Sequence, residues 1–163
     1  MKQARINARK TNKKPPPPKL RILIANADEV ARNGVRHLLD SQGWKICGEA
    51  TDGVEAVEKT KTLKPDVVIM DLAMPRLNGL DAAHQILGHN PLQKILMLAA
   101  HDSTNVIRDC RRAGVRGFLS KSDSAADLSL AVRALALNKT FFTTRAVAIA
   151  KKLTAKKLTA TAS

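Results

Sequence analysis

The groups able to do chemistry gather where apolar runs of the sequence end. Asn26-Ala27-Asp28-Glu29 follows residues 20–25, and Asp71 follows Val67-Val68-Ile69-Met70. Ala99-Ala100-His101 and Ser120-Lys121 close the runs that begin at Ile95 and Gly117. If these runs are parallel strands, a ligand binds beyond their carboxyl ends, near the point where strand order reverses. Asp71 ends the most apolar run, and a carboxylate there is partly desolvated, a cost that packing does not repay.

Other combinations are weaker. His101-Asp102-Ser103 are neighbours in sequence, whereas a catalytic triad is made by spatial geometry, so Asp102 or Ser103 is read as a helix cap. His84 and His89 lie on either side of Gly88, a poor spacing for a shared metal, and are read as surface residues. No GxxxxGK[ST] loop, GxGxxG fingerprint or CxxC pair is present. Cys47 and Cys110 are too few for a disulfide scaffold and are read as small core residues of a reduced, cytoplasmic protein.

The elements that must position these groups follow from periodicity. Residues 20–25 predict a first strand. Ala31, Val35, Leu38 and Leu39 then form one helical face, stopped by Gly43. Residues 44–49 alternate bulky and polar side chains, as an edge strand does. A helix capped near Thr51-Asp52 runs through Val54 and Val57 to about Lys64, where Pro65 ends it. Residues 66–70 predict a central strand buried on both faces. Leu80, Ala83 and Leu87 line the next helix, and residues 95–99 form another buried strand. Val106, Cys110 and Ala113 line a helix ended by Gly114; residues 117–120 and 124–138 are the last strand and helix. Five strand–helix units in succession predict an α/β fold, a doubly wound five-stranded parallel sheet with helices on both faces.

The last helix is apolar nearly all round, with Leu128, Val132 and Leu135 on one face and Leu130, Ala134 and Leu137 on another. A helix of this kind is normally buried on both sides. Its second face is expected to be covered by the chain's own tail, where Ala146, Ala150 and Leu153 recur at helical spacing, or by a second copy of the chain.

The 163 residues suit one domain, and 44% hydrophobic content with 26% charge is enough for a core. No apolar run approaches the roughly 20 residues of a membrane-spanning helix, and the amino-terminal segment lacks the apolar stretch of a secretory signal. The net charge of +14 is uneven: residues 1–19 hold seven basic side chains, residues 145–163 hold five, and neither holds an acid. Residues 1–19, with Pro15-Pro16-Pro17-Pro18 as a polyproline II spacer, read as a basic disordered tail. Residues 20–142 read as the domain, and 143–163 as a basic tail, helical or disordered. The repeat Lys-Lys-Leu-Thr-Ala offers Lys151, Lys152, Lys156 and Lys157 to nucleic-acid phosphates, the alternative being a solvated tail. It carries no aromatic residue, which argues against stacking on single-stranded bases.

The segment from Asp66 to Gly79, with Asp71, Pro75 and Gly79, resembles the phosphoacceptor region of bacterial two-component response-regulator receiver domains. Ile22-Leu-Ile-Ala, Gly48-Glu-Ala-Thr-Asp-Gly53, His101-Asp-Ser and Gly117-Phe-Leu-Ser-Lys-Ser122 resemble the other landmarks, in the form usually joined to a LuxR-type helix-turn-helix. The resemblance spans roughly residues 20–142 and implies the flavodoxin-like strand order 2-1-3-4-5. It implies a signalling module rather than an enzyme, in which an aspartate accepts a phosphoryl group from a histidine kinase with help from Mg²⁺. The added charge then drives a switch. By that resemblance Asp71 is the phosphoacceptor and Lys121 its cationic partner, while Ala99 and Phe118 stand at the switch hydroxyl and switch aromatic positions.

In the family that the chain resembles, two adjacent acids after the first strand usually hold the metal, and the matching positions here are Asn26 and Ala27. The remaining weak metal set is Asn26, Asp28, Asp71 and Ala73, with Asp28 also suited to capping the first helix. The expectation is a receiver fold with a degraded switch, binding Mg²⁺ weakly and acting mainly through protein contacts. Those contacts include self-association through Leu130, Ala134 and Leu137. Working phosphoacceptance and nonspecific DNA contact by the tails are the alternatives. Only 25 residues follow position 138, short of the roughly 40 an autonomous output domain needs.

Overall fold

The computed structural model describes residues 18–143. The chain runs β1 (Arg21–Ala25), α1 (Glu29–Ser41), β2 (Lys45–Ala50), α2 (Gly53–Leu63), β3 (Val67–Asp71), α3 (Gly79–His89), β4 (Lys94–Ala99), α4 (Thr104–Ala113), β5 (Gly117–Ser120), α5 (Ala125–Ala136) and β6 (Phe141–Phe142). The sheet is parallel, in the order β2-β1-β3-β4-β5-β6. The expected order 2-1-3-4-5 is present, and the expected count of five strands is corrected to six. After α5 the chain turns through Asn138, whose φ of 59° is a left-handed conformation that asparagine tolerates. Phe141 then donates its N–H to Arg116 O at 3.0 Å, and the added strand covers an edge of β5 that would otherwise leave backbone groups open.

The strands read as continuous apolar runs because both faces of the sheet are buried. Alternate side chains feed two cores. Leu23, Ala25, Val68, Met70, Ile95, Met97 and Phe118 meet α2, α3 and α4 on one side. Ile22, Ile24, Val67, Ile69, Leu96 and Leu119 meet α1 and α5 on the other. Side-chain caps start each helix: Asp28, Asp52, Asn78, Ser103 and Ser124 all accept a first-turn N–H. Ser103, the third member of the His101 triplet, is thus a cap, while His84, His89 and His101 are exposed.

Cys110 is fully buried, and burial pushes its thiol up to about 11. Cys47 packs against the same core from its margin. It sits on edge strand β2, half-buried, with its thiol against Ile22 O at 3.4 Å. On α5, Leu128, Ala131, Val132 and Leu135 are buried, whereas Leu130 is 55% and Leu137 69% exposed and Ala134 is half-buried. Nothing among the described residues covers that second face. The positions proposed to cover it, Ala146, Ala150 and Leu153, lie outside the described residues, as do residues 1–17 and 144–163 of the charged tails.

Candidate functional site

The sheet register builds the site. Ala25 pairs with Met70, so the next residues, Asn26 and Asp71, emerge side by side at the strand ends. On the other flank Asp71 pairs with Leu98, and Ala99 pairs with Ser120, which brings Lys121 toward Asp71. Lys121 Nζ donates to Asp71 Oδ2 at 2.6 Å. The Asp71 side chain is only 5% exposed while that of Lys121 is 38% exposed. The buried carboxylate therefore depends on a cation that itself reaches water. Asp71 Oδ1 accepts the Ala73 N–H at 3.3 Å.

Local sequence holds both partners in place. The Lys121 N–H donates to Ala99 O at 2.8 Å. The turn behind it is closed by Asp123, whose Oδ2 accepts the Ser120 N–H at 2.8 Å while its own N–H donates to Ser120 O at 2.9 Å. Behind Asp71, Gly79 N–H donates to Leu72 O at 2.8 Å, folding the loop back on the strand. A Cβ on Gly79 would lie 2.3 Å from Asp71 O, so the close approach of α3 to the end of β3 demands glycine. A Cβ on Gly53 would lie 2.0 Å from Leu77 O in the same loop. The loop is further tied by Arg76 Nη1 to Asp52 Oδ2 at 3.0 Å.

The amino-terminal side of the site contains little for a cation. Asn26 is buried, and its Oδ1 already accepts the Asp28 N–H at 2.8 Å. Ala27 is exposed and ends in a methyl group. Asp28 caps α1, its Oδ1 accepting the Ala31 N–H at 2.9 Å. Ala73 is at the rim and can offer only backbone. Among the described residues no group of three or more His, Cys, Asp or Glu could hold a metal. With Asp71 Oδ2 taken by Lys121 and no carboxylate at position 27, these donors do not match the oxygen-rich, octahedral surroundings Mg²⁺ demands.

At the end of β4 and within β5, Ala99 is 1% and Phe118 0% exposed. Phe118 packs in the core shared with α4, and position 99 has no hydroxyl to offer. Lys151, Lys152, Lys156 and Lys157 lie outside the described residues.

One contributor has no place in the sequence reading. Arg32 reaches back from α1, its Nη1 donating to Asn26 O at 2.8 Å and Ala27 O at 3.1 Å, and its Nε pairs with Glu49 at 3.4 Å. Arg36 also pairs with Glu49. The cation thus ties down the loop that carries positions 26 and 27. Its sequence signal was a basic residue in the first turn of a helix, where the macrodipole disfavours one.

The family of response regulator receiver domains matches residues 22–133. The chain is 38% identical over 101 residues to the chemotaxis protein CheY of Thermotoga maritima, covering 62% of this chain and 84% of that protein. It is 39% identical over 112 residues to the transcriptional regulatory protein PdtaR of Mycobacterium tuberculosis, covering 69% of this chain but only 54% of that protein. Among solved structures, a LuxR-family two-component response regulator from Aurantimonas sp. SI85-9A1 superposes with a TM-score of 0.80 at 26% identity, covering 84% of this chain and 99% of that one. The chain spans about half the length of most of the curated relatives it matches.

Proposed function

The chain belongs to the response regulator receiver family, and from that premise we propose that it is a two-component signalling module with a degraded phosphoryl site, acting mainly by protein–protein contact. The observation that carries this reading is the 2.6 Å contact from Lys121 Nζ to the almost wholly buried Asp71, made with Asn26, Ala27 and Ala99 as its neighbours. In the family the switch is thrown by a phosphoryl group that adds about −1.5 to −2 of charge. Here Lys121 remains to receive that charge, but neither a second carboxylate for a cation nor a hydroxyl at position 99 is at hand. A charge-assisted pair already formed holds one arrangement without phosphate. Mg²⁺ would bind weakly, and the domain would work in the cytoplasm without enzymatic turnover of its own.

Its contact surface is the outer face of α5, where Leu130 and Leu137 are exposed large apolar residues. Such residues more often mark an interface when they share one face, and a second copy of the chain is the proposed partner.

A second reading, a conventional phosphoacceptor served by a histidine kinase, draws on Asp71 Oδ1. Among the described residues that oxygen takes only the 3.3 Å bond from Ala73, and it is the atom available to attack phosphorus. Intact-mass measurement after incubation with acetyl phosphate, with and without Mg²⁺, separates the two. The expected result is little or no phosphate-sized adduct under either condition. A Mg²⁺-dependent adduct that disappears in Asp71→Ala would replace the first reading by the second.

A further inference from the structure

The corner where α4, β5 and β6 meet collects more basic than acidic side chains. Arg108, Arg111 and Arg112 recur at i, i+3 and i+4 on α4 and so share one face of the helix; all three are exposed. Arg111 lies over the Phe142 ring at 4.1 Å, which joins this face to β6. Arg116, at the entry to β5, donates from Nη1 to Asn138 O at 3.3 Å. Lys139 follows at once and is exposed. Among the described residues no carboxylate pairs with Arg111, Arg112, Arg116 or Lys139; Arg108 alone has a neighbour, Asp109 at 3.5 Å.

Sequence extends the asymmetry. Asp127 is the last acidic residue of the chain, and the segment that continues from Thr143 holds Arg145, Lys151, Lys152, Lys156 and Lys157. The described chain ends at Thr143, the residue after Phe142, on whose ring Arg111 rests. In sequence, the cations of the corner are followed after β6 by five more basic residues and by no acid.

We propose that this corner, formed by the end of α4, the start of β5 and the turn into β6, is a docking surface for the phosphate backbone of duplex DNA. Charge complementarity selects the occupant. A duplex presents a negative charge about every 1.7 Å along its axis and rewards a string of cations without requiring shape. A protein partner would instead want an apolar centre depleted of charge. Among the described residues none of the exposed large apolar side chains, Val30, Leu92, Leu130 and Leu137, lies on α4, and of the four only Leu137 adjoins the corner, just before the turn into β6. The guanidinium of Arg111 is held by an aromatic ring, and that of Arg116 by a carbonyl, so two of the cations are oriented before any phosphate arrives. Contacts of this kind position a duplex and read no sequence.

The test is the salt dependence of full-chain binding to a labelled duplex of scrambled sequence, followed by fluorescence anisotropy across roughly 50–200 mM salt. Removing three of these charges in R111Q/R112Q/K139Q is expected to lower the magnitude of the slope of log affinity against log salt by about 2.7. The charge-keeping R111K/R112K is expected to retain the wild-type slope, which separates lost charge from a disturbed Phe142 contact. A matched removal at the far side of the fold, K19Q/K45Q/K61Q, is expected to change the slope by less than about 1. Equal losses in both triple variants would overturn the proposal in favour of diffuse attraction. An unchanged slope in R111Q/R112Q/K139Q would overturn it in favour of the terminal segments alone. Absence of duplex binding, or binding of poly-glutamate in preference to duplex, would overturn it as well.

Discussion

Lys121 and Asp71 contribute unequally to their own contact, and a double-mutant cycle should show it. Asp71 is 5% exposed in its side chain and has, among the described residues, one other hydrogen-bond donor, the Ala73 N–H at 3.3 Å. Lys121→Met would strand a buried carboxylate. Removing one partner of a fully buried pair costs about 3–5 kcal/mol, an exposed pair about 0–1. With Lys121 38% exposed, the intermediate value of about 2.5 kcal/mol applies. Asp71→Asn leaves a lysine that can swing into water, and should cost about 1 kcal/mol. In the double variant neither group is stranded, so the loss should be about 1.5 kcal/mol rather than the additive 3.5, a coupling of about 2. Urea unfolding midpoints at neutral pH, compared at constant denaturant slope, give all four corners of the cycle. Additivity within about 0.3 kcal/mol would refute the reasoning, because a pair that is not coupled cannot hold the site in one arrangement. Marked stabilisation by Asp71→Asn would refute it too, by showing that the carboxylate sits under net repulsion.

Gly79→Ala should cost about 3 kcal/mol in the same assay, since its Cβ would meet Asp71 O at 2.3 Å and backbone cannot give way as a flexible side chain does. Glu55 accepts from the Thr51 N–H and pairs with Lys59; the lysine contact foremost, then the Thr51 N–H, lowers its pKa from 4.5 to about 2. Its folded value lies below the unfolded one, so its stabilisation is complete above about pH 4.5 and is lost as pH falls through about 2. Because the group is partly exposed, Glu55→Gln should cost only about 0.5–1 kcal/mol at pH 7, with the difference from wild type gone near pH 2. Leu130→Glu should abolish self-association measured by light scattering at high protein concentration; a wild type that stays monomeric would show that α5 meets something other than a second copy.

Much of this architecture is legible in one dimension. Strand–helix alternation, the doubly buried run at residues 67–70 and stop signals such as Gly43, Pro65 and Gly114 depend on local periodicity and backbone chemistry, which a sequence displays directly. Asp71 and Lys121 could be picked out because strand ends are marked by the change from apolar to polar residues. The substitutions at positions 26, 27 and 99 are likewise plain in the sequence, since an absent carboxylate or hydroxyl needs no coordinates.

Only the tertiary structure decided how those groups are used. The contact between positions 71 and 121 spans fifty residues and depends on sheet order, and its asymmetry depends on which side chain reaches water. The sixth strand was invisible because two phenylalanines have no periodicity of their own; they become a strand because β5 presents an open edge. Cys47 reads as core by type and packs at the core's margin from an edge strand, and Leu130 and Leu137 stand exposed among the described residues, because burial is a property of neighbours. Arg32 and the basic corner at α4 and β6 are assembled from residues distant in the chain, whose meeting no local pattern encodes.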